Sequence, residues 1–416
     1  MAGLGLYQGI RSCSDASSSS CSMQSLMEPP NLEAGSGPLA LLLSGGGARG
    51  AYQVGVLRSL AKSHPDLEIP ILTGVSAGGI NIAFLAAGRS GFRDCVGKLT
   101  DLWLGLSPEK VFRVGLGSLG WGVLRWLVRL GLGGSSLAPE VRGLVDTTPL
   151  RDLLTRALVG SSANADTAIP GIEDNLAEGL RAVGISTVDY ATGKTTIWCQ
   201  GAEIEAWERP FRRSVQCELT VNHIMASSAL PLFFPAVHLE DRWHGDGGIR
   251  LTSPLAPAIH LGARRIIAVS TRSRRAKTEA HVEGPHSYPS PAQVAGVLLN
   301  SVFLDLLDQD ALHLRRINRL LEKTGDQAAD GLEPIDLLLL RPSQDLGALA
   351  GRYEARLPKG FRFLTRGLGS RDDKGSDLIS MLMFQRDYIE RLIEIGEADG
   401  DAQSDELDRI LSTVGP

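Results

Sequence analysis

Ser76 lies in Gly74-Val75-Ser76-Ala77-Gly78, between the apolar run Ile69 to Leu72 and a helically spaced stretch from Ile80 to Ala87. In that context GxSxG reads as a nucleophile elbow, in which small neighbours permit a strained strand-to-helix bend that presents the hydroxyl at a helix N-terminus. The alternative is a structural serine. A serine nucleophile needs a base beside it. The histidines that follow are His223, His238, His244, His260, His281, His286 and His313, and none has a glycine turn of its own. His244 comes nearest to one, in Trp243-His244-Gly245-Asp246-Gly247-Gly248. There the glycine-flanked residue is Asp246, whose carboxylate can project from a tight loop with little cover. From the dipeptide alone, an ordinary Asp-Gly turn is the commoner reading.

A second glycine turn precedes these. Gly45-Gly46-Gly47-Ala48-Arg49-Gly50 follows the apolar run Pro38 to Leu43 and opens a helical pattern with Tyr52, Val56, Leu57 and Leu60 on one face. Glycines let several backbone N–H groups converge on one concave side, and the helix N-terminus adds partial positive charge. Such a site favours an anion, either a nucleotide phosphate or the oxyanion of an acyl-transfer intermediate. Glu68 stands 18 positions after Gly50, near the spacing of a dinucleotide site. A turn with no ligand is the third reading.

These turns need strands and helices to hold them. Buried strands are expected at Pro38 to Leu43, Ile69 to Leu72, Arg181 to Thr187, Ile266 to Ser270 and Ile335 to Leu340. Ala191-Thr192-Gly193 reads as a hairpin turn, and Leu378 to Ile395 as a helix ending at Gly396. Strands alternating with helices make an α/β three-layer sandwich with a largely parallel central sheet the expected fold.

Taken together, the three motifs resemble the patatin-like phospholipases. GGGARG resembles that family's oxyanion-hole loop, GVSAG its nucleophile motif and DGG at Asp246-Gly247-Gly248 its aspartate motif; the resemblance covers about Pro38 to Ser270. It implies a Ser76–Asp246 dyad acting on a lipid ester through an acyl-enzyme, with the oxyanion held over Gly45, Gly46, Gly47, Ala48, Arg49 and Gly50. It implies no metal and no cofactor. Arg49 would steady the loop or assist the oxyanion, against the simpler reading of a solvated helix-start residue. The competing readings are an α/β-hydrolase esterase with a histidine base and a nucleotide-binding protein.

Composition sets outer limits. Forty-two basic against 47 acidic residues leave a formal charge of −5, which argues against general nucleic-acid binding. Five cysteines with no CxxC pattern suit a reducing compartment, and a cytoplasmic location is expected. Residues 1–36 read as a serine-rich flexible tail, 38–275 as the catalytic domain, 276–396 as a helical and strand extension packed on it, and 397–416 as an acidic tail. Ile69 to Gly88 has no charged residue, but its Pro, Asn and glycines favour strand, turn and helix over a membrane span. Val111 to Leu137 carries Trp121, Trp126, Arg125 and Arg129 and is the expected peripheral lipid contact; a core helix is the alternative. The cluster Arg272, Arg274, Arg275 and Lys277 reads as a solvated loop. Oligomeric state is not legible.

Overall fold

A computed structural model describes residues 37–113, 143–202, 204–273, 306–324, 332–353 and 376–412. The serine-rich stretch, nearly all of 111–137 and the basic cluster beyond residue 273 lie outside the described residues.

The chain runs through β1 (Leu39–Leu43), α1 (Gly50–Ser63), β2 (Ile71–Val75), α2 (Ala77–Ala87), α3 (Gly91–Leu104) and α4 (Thr148–Leu158). It continues with β3 (Ala182–Asp189), β4 (Thr195–Gly201), β5 (Glu208–Arg209), β6 (Arg212–Gln216) and α5 (Val221–Ser227). Then follow β7 (Val237–Leu239), β8 (Arg242–Asp246), β9 (Arg265–Val269), α6 (Leu306–Thr324) and β10 (Asp336–Leu340). Helices α7 (Ser376–Leu382), α8 (Arg386–Asp401) and α9 (Ser404–Ser412) complete it.

The sheet order is β10-β9-β1-β2-β3-β4-β6-β5, with β8 also paired to β3 and β7 to β8. Strands β10, β9, β1, β2 and β3 are mutually parallel. Leu39, Leu41 and Leu43 of β1 enter one apolar core, while Ala40 and Leu42 enter the other. Strands covered on both faces read as unbroken apolar runs, which is why LALLL looks as it does. The three-layer α/β architecture expected from the alternation is the one found. Ile69 to Gly88 is loop, strand, elbow and helix, and no helix among the described residues is long and apolar enough to cross a membrane.

Register explains where the chemistry collects. Leu43 pairs with Gly74, so the turns leaving β1 and β2 emerge side by side. Val75 pairs with Ser186, and the next residue of β3, Thr187, pairs with Asp246 on antiparallel β8. Ser76 and Asp246 are thus delivered to the same end of the central strands from positions 170 residues apart in the chain.

The C-terminal region departs from expectation. The helix expected over Leu378 to Ile395 is two helices, α7 and α8, and α8 runs through Gly396 to Asp401. Gly396 is not a helix stop but a point of close helix crossing. A Cβ there would sit 2.0 Å from the Tyr52 carbonyl oxygen of α1, and one on Gly55 would sit 2.0 Å from the Ile393 carbonyl oxygen. Nor is the segment from 397 to 412 merely an acidic tail. In α9, Leu407 and Ile410 are buried, Arg409 pairs with Asp336 at 2.8 Å, and Arg265 Nη1 donates to the Ile410 carbonyl at 2.9 Å. The acidic residues occupy the outer face of an amphipathic helix, a pattern that composition alone cannot separate from a solvated tail.

Candidate active site

Ser76 sits between β2 and α2 with φ 56° and ψ −128°, a conformation that costs a side-chain-bearing residue on the order of 1–3 kcal/mol. Its surroundings over-determine the bend. A Cβ on Gly78 would lie 2.1 Å from the Leu43 carbonyl oxygen, and one on Gly74 would lie 2.6 Å from that of Gly78. The Ser76 N–H donates to Ser227 Oγ at 2.9 Å, and that hydroxyl donates to the Ser186 carbonyl at 2.7 Å. The elbow is therefore stapled to β3 through α5. Val75 ends β2 and Ala77 begins α2, both buried.

The glycine loop lies directly beside the elbow: a Cβ on Gly45 would be 3.2 Å from Ser76 Cβ. Gly46 and Gly47 have φ of 155° and 56°, and a Cβ on Gly47 would collide with the Met381 carbonyl oxygen at 2.2 Å. A 3-10 turn over Gly47–Arg49 joins the loop to α1. Within it the Arg49 N–H donates to the Gly46 carbonyl at 3.1 Å, and the Gly50 N–H is taken by the Ala48 and Gly47 carbonyls. Among the described residues no such bond claims the N–H groups of Gly46, Gly47 and Ala48. Of the six loop positions singled out, Arg49 and Gly50 thus have their N–H groups engaged within the turn. Thr271 Oγ1 donates to the Gly45 carbonyl at 2.7 Å; since peptide planes are rigid, this also orients the Gly46 N–H.

Asp246 ends β8 with 1% exposure. Its Oδ1 accepts from the Gly248 N–H at 2.8 Å, while Oδ2 is buried without a hydrogen-bond partner. Burial pushes the carboxyl up to about 7; the Ser76 hydroxyl and the Gly248 N–H act in the opposite direction. Ser76 is thus near enough to favour the charged form, although no hydrogen bond is closed to Oδ2. A Cβ on Gly247 would meet the Ser186 carbonyl oxygen at 2.3 Å, and one on Gly245 would meet the Tyr190 hydroxyl at 2.2 Å. These glycines let the aspartate loop press against β3 and under the Tyr190 ring. A carboxyl poised near neutrality beside a strained serine can exchange a proton with it.

None of the histidines among the described residues shows a contact with Ser76. His223 closes a capping box with Thr220, and His244 Nδ1 lies 3.0 Å from Thr187 Oγ1. Burial pushes both imidazoles down to about 4. His64 meets Asp408, His260 stacks on Trp207 and His238 packs on Trp243; His281 and His286 lie outside the described residues.

From Ser76 a narrow cavity runs between the helices, lined by Gly47, Ser76, Trp103, Leu150, Leu154, Leu230, Phe234 and Met381 among others. Its lining is almost wholly apolar, suited to a hydrocarbon chain. No His, Cys, Asp or Glu cluster with metal-binding geometry occurs among the described residues.

A family model described as patatin-like phospholipase matches residues 41–259, a span that holds the glycine loop, the elbow and the aspartate turn. This chain belongs to the patatin-like phospholipase family. No curated protein matches it. Among solved structures the patatin-like chain is similar to VipD from Legionella pneumophila, at 12% identity over 89% of this chain and 70% of that one, with a TM-score of 0.35. It is also similar to human GIVD cytosolic phospholipase A2, at 13% identity over 94% of this chain, with a TM-score of 0.45. It spans 62% of that protein's length.

Several residues of the patatin-like site carried no recognisable signal in the sequence. Ser227, Thr271 and Ser380 are single hydroxyls on α5, after β9 and on α7, and only the fold brings them to the elbow and the loop. Arg49 is not the solvated residue that a helix start suggests. It is 2% exposed, and its Nε donates to Ser380 Oγ at 2.6 Å, so its guanidinium ties the loop to the C-terminal region.

Proposed function

We propose that this patatin-like chain hydrolyses lipid esters, of phospholipase A or lysophospholipase type, with Ser76 as nucleophile and Asp246 as its base. Asp246 takes the Ser76 proton as Oγ attacks the ester carbonyl. The N–H groups of Gly46, Gly47 and Ala48 receive the developing oxyanion. Protonated Asp246 then gives its proton to the leaving alcohol, and the acyl group remains on Ser76. Water loses a proton to Asp246, attacks the acyl-enzyme and releases the fatty acid, and the proton returns to Ser76 Oγ. Each oxyanion donor is worth roughly 3–4 kcal/mol of barrier.

The observation that carries this reading is the conjunction at one end of the central strands of a serine at φ 56°, a buried carboxyl with its Oδ2 unpartnered, and an apolar cavity opening from that serine. The test is hydrolysis of a diacyl phospholipid, a lysophospholipid, a triacylglycerol and a soluble short-chain ester by wild type, Ser76→Ala and Asp246→Asn. Both variants are expected to lose at least about 10³-fold in kcat. Retention of activity by Asp246→Asn would remove the dyad; the pattern across the lipids separates the substrate types.

The reading extends to place and shape. A cytoplasmic enzyme of this kind meets its substrate at a membrane, and residues 111–137 are proposed as that peripheral contact. Polar replacement of Trp121, Trp126 and Leu127 is expected to weaken liposome binding and spare the soluble ester; unchanged liposome binding would sink it. We include residues 276–396 in the same folding unit as 38–275, since β10 pairs with β9 and α8 crosses α1.

A further inference from the structure

Beneath the glycine loop runs a chain of buried amides that the proposed mechanism leaves unused. The Trp103 Nε1–H donates to Asn81 Oδ1 at 2.7 Å. Asn81 Nδ2 donates to the Gly50 carbonyl at 3.2 Å and to Gln53 Oε1 at 3.0 Å. Gln53 Nε2 donates to the Ser44 carbonyl at 2.7 Å. Asn81 and Gln53 have no exposed surface, and Trp103 is 2% exposed.

The two carbonyls at which this chain ends are not scattered. Ser44 immediately precedes Gly45, and Gly50 closes the loop. A single relay therefore holds the backbone on either side of the residues whose N–H groups stand unclaimed. Its three side chains come from three helices: Gln53 from α1, Asn81 from α2 and Trp103 from α3. Helix α2 begins at the elbow, so the relay references the loop to the element that carries Ser76. Trp103 adds a second link. Its ring walls the apolar cavity and packs on Gly50, where a Cβ would lie 2.9 Å from its Cη2.

Polar groups buried this deeply are costly unless every partner is met, whereas apolar side chains of similar size would pack there without that demand. Holding the Ser44 carbonyl fixes the Gly45 N–H across the same planar peptide, and holding the Gly50 carbonyl fixes that of Ala51, so the peptides at both ends of the loop are set. A loop that must present donors to a transient charge gains from such fixing, because donors that must reorganise during the reaction stabilise it less.

We propose that Trp103, Asn81 and Gln53 are positioning residues that clamp both ends of the glycine loop and so aim its N–H donors at the oxyanion formed on Ser76. This rests on the acyl-transfer reading above for its catalytic consequence, but the clamp itself is a statement about the loop.

The test uses the full chain with Gln53→Met, Asn81→Leu and Trp103→Phe. Three quantities are measured: amide hydrogen exchange over residues 44–50, kcat and KM on a soluble short-chain ester, and the pH midpoint of kcat. Exchange in the loop is expected to speed up about tenfold and kcat to fall about 10- to 100-fold, the scale of a misplacement near 1 Å. The pH midpoint in all three variants, and KM in Gln53→Met and Asn81→Leu, should stay at their wild-type values, which a general loss of structure would not spare. Should Gln53→Met or Asn81→Leu fail to fold, Trp103→Phe removes one donor, keeps an aromatic ring there and carries the same expectations for loop exchange, kcat and the pH midpoint at smaller size. Unchanged loop exchange, or faster exchange with unchanged kcat, overturns the proposal. If wild type hydrolyses no ester, the acyl-transfer reading fails; loop exchange then decides the clamp alone, faster in the variants supporting it and unchanged refuting it.

Discussion

Arg49 Nε donates to Ser380 Oγ at 2.6 Å, with both side chains buried. Arg49 belongs to the glycine loop and Ser380 to α7, beyond the stretch that the family model matches. Met381, the next residue, presses its carbonyl against Gly47 and lines the cavity. The C-terminal region is therefore a wall of the candidate site. Ser380→Ala leaves the guanidinium one acceptor short. We expect a stability loss of roughly 1–3 kcal/mol, read by denaturant unfolding, with a lower kcat on a short-chain ester. A variant with wild-type stability and wild-type kcat would show that the contact orients nothing.

Asp246 sets the expected pH dependence. Its carboxyl is held up to about 7 by burial, and only its charged form can take the Ser76 proton. Activity on a soluble ester should rise with pH through a midpoint near 7 and then level off. His223 and His244, pushed down to about 4, would instead place such a limb well into the acid range. A pH–rate profile for kcat/KM distinguishes the two.

The same raised pKa has a stability consequence. A carboxyl at about 7 when folded and 3.8 when unfolded binds more protons in the folded chain across that window. Its favourable contribution is fully present below about 4 and is lost as the pH rises through 7. Forcing the buried charge costs on the order of 4 kcal/mol at alkaline pH. Asp246→Asn, which removes the charge, should unfold at higher denaturant than wild type at pH 8 while losing activity. Equal or lower stability at pH 8 would mean that the carboxylate is better solvated than its burial implies.

Leu154 of α4 is 1% exposed and lines the cavity that opens from Ser76. Leu154→Trp should fill part of that space. The expected result is a fall of about tenfold in kcat/KM for long-chain relative to short-chain esters, in keeping with the 1–3 kcal/mol that pocket contacts contribute per methylene. A parallel loss on all chain lengths would point to damage at the elbow instead.

Gly396→Ala tests the helix crossing. The added methyl would meet the Tyr52 carbonyl oxygen at 2.0 Å, so α8 must move away from α1. Overpacking of this kind costs about 1–3 kcal/mol, whereas alanine at a solvated helix position would stabilise slightly. The sign of the change in thermal midpoint decides between them.

Much of the candidate site could be named before any fold was known. GVSAG after one apolar run and GGGARG after another specify a bend and a donor loop, because glycine spacing and strand-to-helix context are local properties of the chain. Both turns lie where the motifs put them, and the parallel sheet follows from apolar runs too unbroken for a half-exposed strand. The C-terminal helices were less legible. Gly396 carries the local signature of a helix stop, and the acidic residues after it carry that of a tail. Neither signature registers that α1 passes close by.

What the chain order determined by itself was which groups are candidates for the chemistry and the local shape of each turn, since short-range sterics decide the latter. What only the tertiary structure decided was their relation: Val75 beside Ser186 and Thr187 beside Asp246, the Ser227 and Thr271 hydroxyls that hold the elbow and the loop, and the burial that lifts one carboxyl toward neutrality. Those depend on strand register and on the exclusion of water. Both are set by contacts between segments far apart in the chain, and no window of residues contains them.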